Sequence, residues 1–181
     1  MNKFALKSIL LVCLSIFFAT CVKDTDFDQT ENIVGTPIIE LNLIYFNLRT
    51  DDFFDSINST PIFTLRDTTE LKFLNDGTLQ ENLKRVEFYF KFTNSIPKTF
   101  QVDFQFLSEL NDTTYVAETG VLPGSVSSPN ITEFIDIIED ENILRLTKAN
   151  KVVVSVTVPS AVAKSEGILN LKSKATYFIE Y

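Results

Sequence analysis

The stretch Lys84–Leu107, KRVEFYFKFTNSIPKTFQVDFQFL, decides the fold. Apolar residues occupy every second position on both sides of a polar interruption, namely Val86, Phe88, Phe90 and Phe92 before it and Phe100, Val102, Phe104 and Phe106 after it. Alternation with a period of two is typical of strands that bury one face. Thr93–Thr99 between them predicts a hairpin loop, so the two strands are expected to lie side by side. A shared face with six phenylalanines requires a second layer to cover it.

That second layer is expected to be another sheet, because the rest of the chain predicts strands at roughly ten-residue spacing. The further predicted strands are 37–46, 62–65, 71–74, 113–118, 131–138, 151–158 and 169–181. The predicted strands 62–65 and 71–74 lie on either side of Asp67–Thr69, and Asn75-Asp76-Gly77 predicts a turn. The fold class is therefore all-β, an antiparallel β-sandwich of immunoglobulin-like architecture with at most one short helix. A closed barrel is the alternative.

The one helical candidate is Asp140–Asn150, DENILRLTKAN. Asp140 is a residue type that caps helices, and Ile143, Leu144 and Leu146 are spaced so that they could touch the core. The segment is long enough for two or three turns. A strand that extends to Tyr181 would build the C-terminus into a sheet.

The N-terminal segment 1–20 predicts a cleaved export signal. Lys3 and Lys7 give it a positive start, and Ile9–Phe18 is a mostly apolar run of ten residues. At about 1.5 Å per residue this run is too short to cross a hydrocarbon core of about 30 Å. The small residues Ala19 and Thr20 follow, and then Cys21.

The run Phe18-Ala19-Thr20-Cys21 resembles the lipobox of bacterial lipoproteins. The resemblance implies that Cys21 is lipidated and becomes the mature N-terminus. An ordinary signal peptide with a chance cysteine is the alternative. Lys23-Asp24, followed by further acids, is similar to the export signal of Bacteroidota lipoproteins. This second resemblance implies a lipid-anchored protein of the outer membrane at the cell surface, with the periplasmic face as the alternative.

The domain organisation follows as signal peptide 1–20, lipidated cysteine and acidic tether 21–36, and β-sandwich domain 37–181. Loss of Lys3 and Lys7 leaves 14 basic against 24 acidic residues, a net charge of −10. This charge argues against a nucleic-acid partner and against electrostatic attachment to anionic lipid. Membrane attachment would have to come from two or three acyl chains, since one chain binds only marginally.

Several chemistries are excluded by composition. The chain has no histidine, and its two cysteines are Cys13 and Cys21, so no Ser-His-Asp triad, Cys-His pair or histidine metal site can form. The alternating acids of the tether do not make an EF-hand, because Gln29 and Gly35 stand where glycine and glutamate are needed. We expect no cofactor and no metal. A glycosidase needs only two carboxylates, and its candidates are Asp136, Glu139, Asp140 and Glu141.

Three tripeptides, Asp55-Ser56-Ile57, Asp67-Thr68-Thr69 and Asp112-Thr113-Thr114, resemble the sites at which Bacteroidota attach O-glycans to exported proteins. The hydroxyls concerned are those of Ser56, Thr68 and Thr113. Such sugars would add solubility without any change to the core.

The function expected from these features is a non-catalytic, lipid-anchored cell-envelope protein with a binding or structural role and a glycan or protein partner. The alternative is an accessory envelope hydrolase of glycosidase type. Tyr89 and Phe178 lie on the polar sides of their predicted strands. They could form a platform for sugar stacking, or they could simply cover the other side of a sheet or an edge.

Overall fold

The computed structural model of the protein describes residues 35–181 except 56, 59, 73–76 and 163–165. Gly35–Tyr181 group into one compact unit. The predictions made for residues 1–34, which include the signal peptide, the lipidation of Cys21 and most of the tether, lie outside the described residues. No helix within the described ranges combines the length and the apolar character that a membrane span requires.

Strands dominate the described part of the chain. They are Ile38–Arg49 (β1), Phe54–Asp55 (β2), Thr60–Pro61 (β3), Thr64–Glu70 (β4), Leu83–Asn94 (β5), Phe100–Leu107 (β6), Thr113–Val121 (β7), Asn130–Glu139 (β8), Lys151–Thr157 (β9) and Ile168–Ile179 (β10). Two short α-helices, Gly77–Asn82 (α1) and Glu141–Leu146 (α2), and a 3₁₀ turn at Thr50–Phe53 complete the elements.

Eight of these strands form two four-stranded sheets. The first sheet has the order β1-β10-β5-β8, and the second has the order β4-β9-β6-β7, while β2 and β3 make a small separate pair. Neighbouring strands in both sheets are antiparallel. The predicted all-β antiparallel sandwich is confirmed. Its strand order differs from that of an immunoglobulin sandwich, in which one sheet holds strands A, B, E and D and the other C, F and G. The order found here, with four strands in each sheet, is that of a jelly roll.

The predicted pairing of the two phenylalanine-rich strands as a hairpin is wrong. Strand β5 lies in the first sheet and β6 in the second. Their apolar sides therefore face each other across the sandwich. The rings of Phe90 and Phe104 stack at a centroid distance of 4.1 Å, and those of Phe88 and Phe106 at 5.0 Å. Because the two apolar sides face each other, both sets of rings are completely buried. Neighbouring strands of one sheet would leave these rings exposed unless another layer covered them.

Asn94 anchors the chain where it leaves the first sheet. Its side chain is fully buried. Its Nδ2 donates to the carbonyl oxygens of Lys98 at 2.9 Å and Leu122 at 2.8 Å, and its Oδ1 accepts from the backbone N–H of Ile96 at 2.8 Å. These bonds hold residues 94–98 as a crossing between sheets, and they tie the β7–β8 loop to it. A buried amide with three partners is stabilising, whereas one left unpaired is costly.

Smaller predictions also need correction. Asp67–Thr69, predicted to separate two short strands, lies inside β4 and pairs with β9. Leu71 is a buried residue beyond the end of β4 rather than the start of a strand. The predicted helix is present as α2, but α1 is a second helix that the sequence pattern did not indicate.

Helix α2 buries only part of its predicted apolar face. Ile143 and Leu146 are buried, whereas Leu144 is 64% exposed. Asp140 occupies the N-cap position with a φ of 53°, but its side chain makes no capping hydrogen bond. The helix is therefore held by packing of its two buried residues rather than by its cap.

Candidate binding groove

The outer faces of the two sheets differ in polarity. We call the side chains of the first sheet that point away from the second sheet the first outer face. It carries six large apolar side chains that are more than 40% exposed, which are Ile38, Tyr45, Ile131, Ile135, Ile137 and Ile168. The corresponding face of the second sheet has one among its described strand residues, Val116. This difference makes the first outer face the better candidate for a binding surface.

A groove with a volume of about 570 Å³ crosses the first outer face. Side chains from all four strands of the first sheet line it, namely Ile38, Glu40, Glu87, Tyr89, Ile135, Lys174, Thr176 and Phe178. Its size and mixed lining are those of small-molecule sites. The sequence prediction singled out Tyr89 and Phe178, and the structure brings both to this groove.

The two aromatic rings lie toward opposite ends of the groove. Phe178 is opposite Arg85 in the register of β10 and β5, and Tyr89 is opposite Lys174. The four-residue step along β5 from Arg85 to Tyr89 corresponds to about 13 Å. The groove therefore lies between the two rings, which do not stack on each other.

Both rings are held in place by neighbouring charged groups. The Tyr89 hydroxyl hydrogen-bonds to Glu133, and this bond raises the pKa of Tyr89. The bonds from Tyr89 and Lys91 lower the pKa of Glu133. The Arg85 guanidinium carbon lies 5.2 Å from the centre of the Phe178 ring, within range of a cation–π contact. A ligand that stacks on Phe178 must use the surface that Arg85 leaves uncovered.

The charged side chains around the groove form ion pairs, with four carboxylates against three cations. Glu40 pairs with Lys174 at 2.8 Å, and Glu133 pairs with Lys91 at 3.1 Å. Arg85 contacts both remaining carboxylates of this face, those of Glu87 and Glu139. Each pair is partly exposed, so it contributes little to the free energy of folding. The groove thus presents donors and acceptors whose charges are mostly paired.

The carboxylates proposed for a glycosidase do not converge. Asp136 points toward the interior side of β8 and accepts a hydrogen bond from the Tyr115 hydroxyl at 2.8 Å. Glu139 pairs with Arg85 on the first outer face. Asp140 and Glu141 are exposed at the start of α2. Within the described ranges, no three residues from among Cys, Asp and Glu are grouped so that they could hold a metal ion.

Asp136 is the carboxylate with the most unusual surroundings. Burial raises its pKa above the ordinary value of 3.8, and the bond from Tyr115 opposes that shift only in part. Burial and the proximity of Asp136 raise the pKa of Tyr115 as well. Since the folded-state pKa of Asp136 exceeds the unfolded one, its contribution to stability is greatest below pH 3.8 and is lost as the pH rises through the folded-state pKa.

Asp136→Asn is therefore expected to raise the melting temperature at pH 7, because the variant removes a partly buried charge and keeps an oxygen that can accept from Tyr115. The advantage over the original chain should shrink at pH 3, where Asp136 is protonated. Tyr115→Phe should do the reverse, lowering the melting temperature more at pH 7 than at pH 3. Thermal unfolding followed by circular dichroism at both pH values measures this, and a pH-independent difference would contradict the assignment.

Two of the predicted O-glycosylation sites can be placed. Thr68 is exposed in the edge strand β4, and Thr113 is exposed at the start of β7. Ser56 lies outside the described residues. Both described hydroxyls lie on strands of the second sheet, whereas the groove is on the first. Their modification stays a prediction.

Comparison with known proteins adds little beyond the fold. No family model matches the chain, and no curated protein matches it. A solved protein from Parabacteroides distasonis, described as secreted, has a TM-score of 0.46 and 14% identity over 63% of this chain and 37% of its own. The VP2 subviral particle of infectious bursal disease virus has a TM-score of 0.44 and 6% identity, over 80% of this chain and 32% of its own.

Tailspike protein 4 of bacteriophage CBA120 is also similar, with a TM-score of 0.41 and 15% identity over 80% of this chain and 20% of its own. The chain thus spans about a third or less of the length of these three proteins. At such identities we carry no ligand or activity over from them.

Sequence reasoning missed most of the groove. Glu40, Lys174 and Thr176 come from strands that are far apart in the chain. One signal was present in β8, NITEFIDIIE, where Ile131, Ile135 and Ile137 alternate with a second set that includes Phe134 and Ile138. Only one side of a strand faces the core of a two-sheet sandwich. A strand with apolar residues on both sides therefore exposes one apolar side.

Proposed function

We propose that the protein is a non-catalytic, lipid-anchored component of a bacterial outer membrane, displayed at the cell surface, which binds an uncharged glycan in the groove of the first outer face. The observation that carries the proposal is the pair of aromatic rings, Tyr89 and Phe178, at the two ends of a groove whose charged side chains are held in ion pairs. The anchor and the location rest on the sequence at Cys21 and Lys23-Asp24.

The chemistry of the groove suits a sugar chain better than a charged or wholly apolar ligand. Aromatic rings offer flat faces to the C–H groups of a sugar ring. Carboxylates such as Glu40 and Glu87 keep free lone pairs after one ion pair has formed, so they can accept from sugar hydroxyls. Because these acids are already paired with cations, a neutral ligand brings no unpaired charge into the site.

The rings are also held before a ligand arrives. The hydroxyl of Tyr89 is bonded to Glu133, and Phe178 lies beside Arg85. A ligand therefore loses less binding free energy to the ordering of side chains than it would with freely rotating rings.

Tyr89→Ala is expected to weaken binding about two- to tenfold, because loss of an aromatic stacking contact costs about 0.5–1.5 kcal/mol. A glycan microarray with the full chain would identify a retained neutral oligosaccharide, and titration calorimetry would measure the dissociation constants. Tyr89→Phe, which keeps the ring, should bind within about twofold of the original chain.

Tyr45→Ala is the matched control. Tyr45 is 82% exposed on the same face but does not line the groove, so its removal should leave the dissociation constant unchanged. Equal losses in Tyr45→Ala and Tyr89→Ala, or no retained glycan, would refute the proposed site. Cleavage of the retained glycan would refute the non-catalytic assignment.

Cys21→Ser is expected to release the protein from the membrane, because no acyl chain can then be attached. Detergent phase partitioning of fractionated cells measures this, with most of the variant moving to the aqueous phase. Cys13→Ser should stay in the detergent phase. Recovery of Cys21→Ser in the detergent phase would exclude Cys21 as the anchor. Protease treatment of intact cells separately tests surface display, and full protection would place the domain in the periplasm.

A further inference from the structure

We propose that the free edge of β8 pairs with β8 of a second copy of this chain, which would join the two first sheets into one continuous eight-stranded sheet. The proposal is independent of glycan binding. It rests on three properties of β8, namely a long and regular edge, exposed isoleucines and carboxylates that do not face each other in a symmetric pair.

The β8 edge is protected only by its carboxylates, of which Asp136 points inward, and not by a bulge, a proline or a lysine. Among the described residues β8 hydrogen-bonds with β5 alone, over ten consecutive residue pairs with no bulge. Its sequence, NITEFIDIIE, contains no proline, glycine or lysine. Long, regular and apolar edges are templates for pairing with another strand.

The other three edges of the sandwich are interrupted or charged. The pairing of β1 shifts register between Asn42 and Tyr45. Strand β4 carries Arg66, Asp67 and Glu70 within seven residues. The pairing of β7 with β6 shifts beside Leu107. Bulges and charges of this kind oppose edge-to-edge contact. Strand β8 carries three carboxylates of its own, but it is longer than β4 and its pairing has no bulge, so it is the edge best suited to a second strand.

Three exposed isoleucines follow the outer side of β8. Ile131, Ile135 and Ile137 are 56%, 58% and 51% exposed. Several exposed apolar side chains on one edge strand are typical of a contact surface. In a β8–β8 pair, the isoleucines of one copy would lie against side chains of the other and lose much of that exposure.

The charges of β8 favour a second copy as the partner. The two carboxylates on its outer side, those of Glu133 and Glu139, are already paired with Lys91 and Arg85 of β5. Each outer carboxylate of the edge thus has a cation beside it, although Arg85 is shared with Glu87 and the chain as a whole is acidic. Repulsion between two copies at this edge is therefore smaller than the net charge would suggest.

The spacing of these residues is also self-complementary. A two-fold axis through Ile135 places Glu133 of one copy opposite Ile137 of the other, and Glu139 opposite Ile131. No carboxylate then faces another directly, which avoids the like-charge pairs that destabilise a sheet. The result is an isologous dimer in which both grooves lie on the same side of one sheet.

Sedimentation equilibrium of the full chain in a density-matched detergent tests the proposal. The original chain should have twice the monomer mass. The double variant Ile131→Lys and Ile137→Lys should be monomeric at the same concentration, with association at least about tenfold weaker, since two cations per copy would enter the interface.

Val116→Lys is the matched control, because Val116 is 43% exposed on an edge strand of the other sheet, and it should remain dimeric. Circular dichroism melts of both variants establish that they are folded. A monomeric original chain would overturn the proposal, and so would a dimer that persists in the folded double variant.

Discussion

Gly124→Ala is expected to destabilise the fold by at least ~3 kcal/mol, enough to prevent accumulation of folded protein if the domain is marginally stable. A Cβ at this position would lie 1.9 Å from the carbonyl oxygen of Asn94 and 2.7 Å from the backbone nitrogen of Asn130. Both are backbone atoms at the ends of paired strands, so neither can move without opening the first sheet. The loop would also lose the bond from the Gly124 N–H to the Ile96 carbonyl.

Gly120→Ala provides the control for this prediction. Nothing lies within 4 Å of the position that its Cβ would take. Alanine loses less conformational entropy than glycine in a strand, so this variant should be about 0.5–1 kcal/mol more stable than the original chain. Urea denaturation followed by fluorescence or circular dichroism measures both. Equal denaturation midpoints for the two variants would mean that the close approach of Gly124 to Asn94 is absent.

Phe104→Ala is expected to cost about 3–5 kcal/mol of stability. The Phe104 ring is fully buried and stacks on Phe90 across the sandwich. Its truncation leaves a cavity between the two sheets. The sheets cannot easily approach each other to fill it, because the hydrogen bonds within each sheet keep that sheet rigid. The free energy of unfolding from urea titration measures the loss.

Phe63→Ala is a matched truncation of a phenylalanine that is 47% exposed, and it should cost less than about 1.5 kcal/mol. A double-mutant cycle with Phe90→Ala and Phe104→Ala should give a coupling of about 0.5–1.5 kcal/mol, the amount typical of aromatic pairs in contact. If the stability losses of Phe90→Ala and Phe104→Ala were strictly additive, the contact between these two rings across the sandwich would be contradicted.

The alternation of apolar and polar residues predicted the strands well. Four strands lie within a few residues of their predicted positions, namely the phenylalanine-rich β5 and β6 and the strands β8 and β9. The hairpin was wrong because periodicity identifies which side chains of a strand share a face, but not which strand lies beside it. The crossing at Asn94 depends on the carbonyl of Leu122, a bond to a distant loop that no local pattern reveals.

The groove was predictable only in part. Aromatic residues at polar-face positions pointed to Tyr89 and Phe178, because an aromatic ring on a solvent side is unusual enough to notice. Ile38 and Lys174 could not be assigned, since they contact the same space only through the order β1-β10-β5-β8. The same holds for the β8 edge, because no strand is known to be an edge until all pairings are known.

The sequence by itself determined that the chain is an all-β sandwich with a phenylalanine core, and it supplies the prediction of a lipid anchor at Cys21. Those conclusions depend on local composition and spacing. The tertiary structure alone decided that the two phenylalanine stripes face each other, that the strands follow a jelly-roll order, and that Tyr89 and Phe178 share one groove. Each of these depends on pairing between strands far apart in sequence, whose register is selected by burial of the whole core at once.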